Sequence, residues 1–330
     1  MPDHAFRYPA GIMGTVCLPW TPRYELDREL FARAVDAVAR EVDHVYLFGT
    51  AGEGYGVSHR QFASITAAFV EAAESAGVEP MVGIISLSLA EVLDRIELAA
   101  KLGVRRFQVS LPSWGACTKA EAFRFFEAAC GGHPELSFMH YNVKRAGRLL
   151  DAAEYGRLTR SFDNLVAVKL AGVDGETAMA IQRAAPTLRL FLTEKAFAEA
   201  CGLGVASGLL GSYSTLNWSQ ARRYYEAGER GDVETLAAMR EEMSGILAVF
   251  REHMKGNAHI DGAFDQTFIK RHLPDFPLRL LPPYQAADEG AFENFMAAMR
   301  REYPSWVGEE ALKAAASPKT RKHEQGVRPL

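Results

Sequence analysis

Lys169 closes an otherwise apolar run, Leu165-Val-Ala-Val-Lys169. A lysine is costly to bury there unless its amine has a partner or a task. Strand alternation sets it on one side together with Ala167 and Leu165. Burial disfavours the ammonium form and lowers a lysine pKa, which makes free amine available near neutral pH. A free amine adds to a ketone and gives an iminium, an electron sink for making or breaking a C–C bond. A structural ion pair accounts for this residue equally well. Tyr141 ends the preceding run, Phe138-Met-His-Tyr141-Asn142. A phenol beside such a lysine can shuttle protons while the carbinolamine forms and loses water. Gly49-Thr50-Ala51-Gly52-Glu53 follows another short run, and its glycines permit a tight turn. Backbone N–H groups around Ala51 and Gly52 then face a carboxylate, and the Thr50 hydroxyl can bond to Tyr141. In Gly208-Leu-Leu-Gly211-Ser212 the glycines let backbone approach a ligand, to which Ser212 can donate. Each feature also has a plain structural reading: a packed tyrosine, an ordinary strand–helix turn, close strand–helix packing.

These groups meet only if the runs that carry them end at one mouth. Eight short apolar runs are present: Gly11–Leu18, His44–Phe48, Met81–Ile85, Phe107–Leu111, Leu136–Tyr141, Leu165–Lys169, Arg189–Thr193 and Val205–Gly211. Each is bounded by Gly, Pro or polar residues, as buried parallel strands are. Amphipathic stretches separate them, including Asp27–Glu41 with Asp27 as N-cap, Ser58–Ala76 ending at Gly77, and Leu89–Leu102 ending at Gly103. The alternation predicts a (β/α)8 TIM barrel, whose catalytic groups stand at the C-terminal ends of the strands. An open doubly wound sheet would call for a glycine-rich dinucleotide fingerprint after the first strand, and none is there. Residues 1–218 carry the strands and most helices. Residues 219–305 hold the last barrel helix and a C-terminal helical region, with helices at Ser219–Gly228, Asp232–Met254, Ala263–His272 and Asp288–Tyr303. Residues 306–330 are expected to form a loose tail.

The 330 residues suffice for one large core, since such barrels run to ~250 residues before additions. A net charge of −4 argues against nucleic acid or an anionic membrane as partner. Cys17, Cys117, Cys130 and Cys201 form no CxxC pair, which fits reduced thiols. No apolar leader or membrane span is evident, so a cytoplasmic protein is expected.

In order along the chain, these residues resemble the dihydrodipicolinate synthase / N-acetylneuraminate lyase family of class I aldolases. Gly11-Ile12 and Pro19-Trp20-Thr21-Pro22 resemble its first strand and loop, and Gly49-Thr-Ala-Gly-Glu53 its G-[TS]-T-G-E turn. Tyr141-Asn142 matches its Y-N motif, and the interval from Tyr141 to Lys169 matches its tyrosine-to-lysine interval. The likeness runs over roughly residues 8–300. It implies Lys169 as Schiff-base lysine, Tyr141 as proton shuttle, and Thr50 with the backbone around Ala51 as the keto-acid carboxylate site. It further implies pyruvate or another 2-keto acid with an aldehyde partner, no cofactor or metal, and a homotetramer built as a dimer of dimers.

The departures bear on substrate. Ala51 stands where many members carry a second hydroxyl residue. Trp114, in Leu111-Pro-Ser-Trp-Gly115, stands where the synthases place a relay tyrosine, and an indole cannot relay a proton as a phenol does. It either flanks a bulky aldehyde or packs a dimer interface. The usual proline after Tyr141-Asn142 is absent, and Arg145 there is a candidate for gripping a second carboxylate. Glu194, in Thr193-Glu194-Lys195, either meets a polar substrate or is a solvated helix cap. A lyase or aldolase distinct from a true dihydrodipicolinate synthase is therefore expected. A dehydratase or hydratase-aldolase working through the same iminium and a non-catalytic metabolite-binding barrel are the alternatives. A metal-dependent aldolase would need a cluster such as His44, His140 and Glu194, whose spacing supports no ligand set.

Overall fold

The strands form at short, mainly apolar segments, so that both strand faces can be buried. The computed structural model describes residues 6–254, 256 and 258–308. In chain order the barrel elements are β1 (Met13–Thr15), α1 (Arg28–Glu41), β2 (His44–Leu47), α2 (His59–Ser75), β3 (Pro80–Ile84), α3 (Leu89–Lys101), β4 (Arg106–Val109) and α4 (Lys119–Phe126). Then come β5 (Ser137–Asn142), α5 (Ala152–Ser161), β6 (Leu165–Leu170), α6 (Gly175–Ala184), β7 (Arg189–Leu192), α7 (Glu194–Gly202) and β8 (Gly208–Leu209). The short α8 (Tyr213–Leu216) precedes α9 (Trp218–Arg230), α10 (Val233–Met254), α11 (Asp261–His272), α12 (Glu289–Glu302) and α13 (Pro304–Val307).

All eight strands are parallel and follow chain order, and a bridge from Ile12 to Leu209 brings β8 back to β1. This is the expected (β/α)8 TIM barrel with C-terminal helices. Helix starts follow local chemistry: Asp27, Ser58, Ser88, Thr118, Asp151 and Asp174 each accept an N–H of the first turn. Gly77 and Gly103 follow α2 and α3 with φ of +67° and +100°, where a side chain would be strained. The strand expected over Val205–Gly211 is only Gly208–Leu209, and α11 begins two residues earlier than its apolar periodicity suggested.

Two layers of core result. Met13, Tyr46, Met81, Met139, Ala167 and Phe191 fill the barrel interior, and a larger cluster fills the space between strands and helices. Leu165 belongs to the outer cluster, not to the face shared by Ala167 and Lys169. The register explains this correction: Phe138 pairs with Leu165, but the next residue, Met139, pairs with Ala167. Val166 is an extra residue, a β-bulge that reverses the alternation and leaves Lys169 level with Tyr141 and Phe191.

Of the tail expected at 306–330, Trp306 and Val307 are buried in α13. Trp306 donates its indole N–H to Glu242 at 2.8 Å, and its carbonyl accepts from Asn217 at 3.0 Å. Residues 309–330 lie outside the described residues. No helix among the described residues is long and apolar enough to cross a membrane.

Candidate active site

A cavity of about 260 Å³ opens at the C-terminal ends of the strands, and Lys169, Tyr141, Ala51, Gly211 and Ser212 all line it. Lys169 Nζ lies 4.6 Å from the centre of the Tyr141 ring and 5.8 Å from that of Tyr46. Burial is the largest single influence on Lys169 and pushes its pKa down. The oxygens of Tyr141 and Tyr46, then Asp261, and a hydrogen bond with Tyr46 oppose it and carry the pKa above the ordinary lysine value. Burial acts on the amine as expected, but the neighbouring oxygens shift the balance towards the ammonium, which must lose a proton before it can attack.

Tyr141 is buried, and its hydroxyl is 3.5 Å from Thr50 Oγ1, at the long end of hydrogen-bond range. Thr50 opens a turn in which Glu53 N–H donates to the Thr50 carbonyl and Gly54 N–H to that of Gly49. Gly52 packs inward, where a Cβ would crowd Phe48 N and Val16 O, so it shapes the turn without lining the cavity. Glu53 is fully buried and clamps the turn from outside. It accepts the Trp20 indole N–H on one oxygen and Leu281 N–H on the other, at 2.7 Å. Burial pushes its pKa up to about 7, against the pull of those two donors.

Gly211 is required by a neighbour: a Cβ there would overlap the Glu194 carboxylate. Glu194 accepts Tyr213 N–H at 3.2 Å and lines the cavity, and burial raises its pKa. It is not a solvated cap. Ser212 donates to Asp265 at 3.0 Å. Arg145 does not reach the cavity, because both its terminal nitrogens are held by Asp261, at 3.1 and 3.0 Å. Trp114 is 89% exposed in the single chain and lies outside the lining.

The residues once considered as metal ligands lie apart. His44 bonds the Ala10 carbonyl and packs on Tyr8. His140 is buried against Phe126 and Tyr155, 2.7 Å from the Tyr155 hydroxyl, and burial drives its pKa down to about 3. Among the described residues no group of three or more His, Cys, Asp or Glu is arranged to hold a metal.

A profile of the dihydrodipicolinate synthetase family matches residues 8–258. The chain belongs to this family. As a dihydrodipicolinate synthetase family member it has the fold of the family's aldolases and lyases. The 4-hydroxy-tetrahydrodipicolinate synthase of Thermus thermophilus is 29% identical over 157 residues, 47% of this chain and 52% of that protein. The enzyme of that name from Nostoc sp. is 29% identical over 184 residues, 53% of this chain and 61% of that protein. The chain thus matches about half the length of its curated relatives. In structure, a prophage protein of the dihydrodipicolinic acid synthase family from E. coli K12, solved with pyruvate, superposes with a TM-score of 0.75 at 18% identity. The match covers 88% of this chain and 98% of that one. An N-acetylneuraminate lyase from Fusobacterium nucleatum gives 0.75 at 16% identity with the same coverage.

Sequence reasoning missed several members of the site. Tyr46 lies on β2 in a run read only as core, yet its phenol faces Lys169. Asp261, Asp265 and Phe268 come from α11, far along the chain. Their helical spacing is visible, but nothing local reveals that this face meets the barrel mouth.

Proposed function

We propose that this chain is a Schiff-base-forming lyase or aldolase acting on pyruvate or another 2-keto acid with an aldehyde partner, and that it differs from a true dihydrodipicolinate synthase. The observation that carries the reading is the placement of Lys169 Nζ against the Tyr141 and Tyr46 rings inside the cavity at the barrel mouth. Lys169, once deprotonated, attacks C2 of the keto acid. Tyr141, with Thr50 beside it, moves the protons that turn the carbinolamine into the iminium with loss of water. The keto-acid carboxylate rests on Thr50 and the backbone around Ala51, and Ser212 and Gly211 bound the far side. The iminium takes up electrons as the C–C bond breaks, or its enamine attacks the aldehyde, and water then releases the keto acid. The pyruvate complex of the E. coli relative supports the substrate class. The protein acts in the cytoplasm as a homotetramer, in which the exposed Trp114 packs a dimer interface. A dehydratase using the same iminium is a second reading, favoured by the carboxyl groups of Glu194 and Asp265 at the cavity, which can take a proton from a substrate carbon when ionised.

The test is incubation with pyruvate and sodium borohydride followed by intact-mass measurement. The wild type should gain one reduced pyruvate and Lys169→Ala none, with turnover unchanged in excess EDTA. A wild type that traps neither pyruvate nor any other 2-keto acid removes the reading.

A further inference from the structure

α11 presents one face to the cavity. Asp261, Phe264, Asp265 and Phe268 follow helical spacing and all four line it. They lie in the C-terminal helical region, beyond residue 258, where the match to the family profile ends. Phe264 is fixed by stacking on Phe250 at 4.1 Å, which holds the face in place. Asp265 is 1% exposed. Its Oδ2 accepts from Ser212 at 3.0 Å, whereas its Oδ1 is buried without a partner. A buried carboxylate with one oxygen unpaired is costly, and a carboxylic acid with its proton on Oδ1 and Ser212 donating to Oδ2 is not. The groups around Asp265 agree. Burial first, then Asp261 and Glu194, push its pKa up, while Ser212 and Lys169 pull it down, leaving it at about 7. Tyr46 and Cys17 also face it.

The charge around the cavity restricts what can sit there. Lys169 is the one cation among the described lining residues, and it is committed to the keto acid. Arg145 is held by Asp261. An acceptor carrying a second carboxylate would meet Glu194 and find no free cation among the described lining residues, which is unfavourable in a buried site. A neutral acceptor with a hydroxyl meets carboxyl oxygens on one side and Phe264 and Phe268 on the other.

We propose that α11 supplies the acceptor half of the site, in which Asp265, positioned by Ser212, is the acid–base group for the oxygen of a short, neutral, hydroxyl-bearing aldehyde. In condensation the enamine carbon attacks the aldehyde carbon, the carbonyl electron pair moves to oxygen, and that oxygen takes the proton from Asp265 Oδ1. In cleavage the Asp265 carboxylate takes the hydroxyl proton while the C–C bonding pair moves into the Lys169 iminium. Asp265 exchanges its proton with water between turnovers.

This proposal rests on the Schiff-base reading, and one experiment separates the two. Wild type, Asp265→Asn and Ser212→Ala are tested for borohydride trapping of pyruvate, then for condensation of pyruvate with D-glyceraldehyde, succinic semialdehyde and benzaldehyde, read by product mass. Wild type and Asp265→Asn should trap pyruvate to within about threefold, which also shows that both are folded, and condensation by Ser212→Ala is read relative to its own trapping. The wild type should prefer glyceraldehyde, and Asp265→Asn should lower kcat with glyceraldehyde by about 100-fold or more, Ser212→Ala by less. Loss of trapping in the wild type brings down the Schiff-base reading and this proposal with it. Intact trapping overturns the proposal alone if succinic semialdehyde or benzaldehyde is preferred, if no product forms from any of the three, or if Asp265→Asn condenses glyceraldehyde normally. Loss of trapping in Asp265→Asn alone also overturns it, by making Asp265 part of the lysine's own environment.

Discussion

Two ionisations dominate the site at the scale of single residues. The phenols that flank Lys169 hold its proton, so trapping with pyruvate should speed up as pH rises through neutrality. Tyr46→Phe removes one of those supports and lets burial pull the lysine pKa down. Its trapping rate should therefore reach half-maximum at a lower pH than that of the wild type; an unmoved profile would exclude Tyr46 from the proton balance. Asp265 has the opposite role in stability. Its pKa is raised from 3.8 to about 7 on folding, so the folded state holds the proton more tightly. That contribution is fully present below pH ~4 and is lost as pH rises through about 7, an effect of a few kcal/mol. Urea midpoints should be higher at pH 5 than at pH 8, and Asp265→Asn should narrow the gap. The position of Lys169 and Tyr141 at the cavity was legible because chemistry-bearing side chains at strand ends are conspicuous in apolar runs, whereas Thr50 is not among the lining residues and meets Tyr141 only at 3.5 Å. Tyr46 was not, since a tyrosine inside HVYL is indistinguishable from core until the barrel closes.

Among the elements, the turn after β2 and the bulge in β6 decide the geometry. Glu53 ties that turn to Trp20 and to the backbone at Leu281. Glu53→Gln turns one acceptor into a donor facing an N–H, which should cost about 1–3 kcal/mol and lower the thermal midpoint by several degrees. If the midpoint holds, the clamp contributes little. Gly211→Ala drives a methyl into the Glu194 carboxylate and should displace it, destabilising the protein or weakening acceptor binding. Strand positions were readable from sequence to within a few residues, because parallel strands buried on both faces are continuous apolar runs. The facing of Leu165 was not, because alternation carries no mark of the extra residue at Val166. The start of α11 was missed for a related reason: Asp261 precedes the apolar periodicity, and its bidentate pair with Arg145 is long-range.

For the whole molecule, the barrel class was legible from alternation alone, whereas the assembly of the cavity from both ends of the chain was not. Trp114, exposed in one chain, bears on the oligomer. Trp114→Glu should shift the sedimenting mass from a tetramer towards smaller species, and an unchanged mass would leave the indole outside any interface. The cavity wall from α11 has a consequence for synthesis. Thr15 and Tyr46 leave the ribosome early and Lys169 in the middle, but Asp261 to Phe268 follow the eight strands and the first ten helices. A nascent barrel therefore carries its reactive lysine before the wall that covers it exists. On the proposed reading, two-substrate chemistry waits until α11 has folded against the barrel mouth.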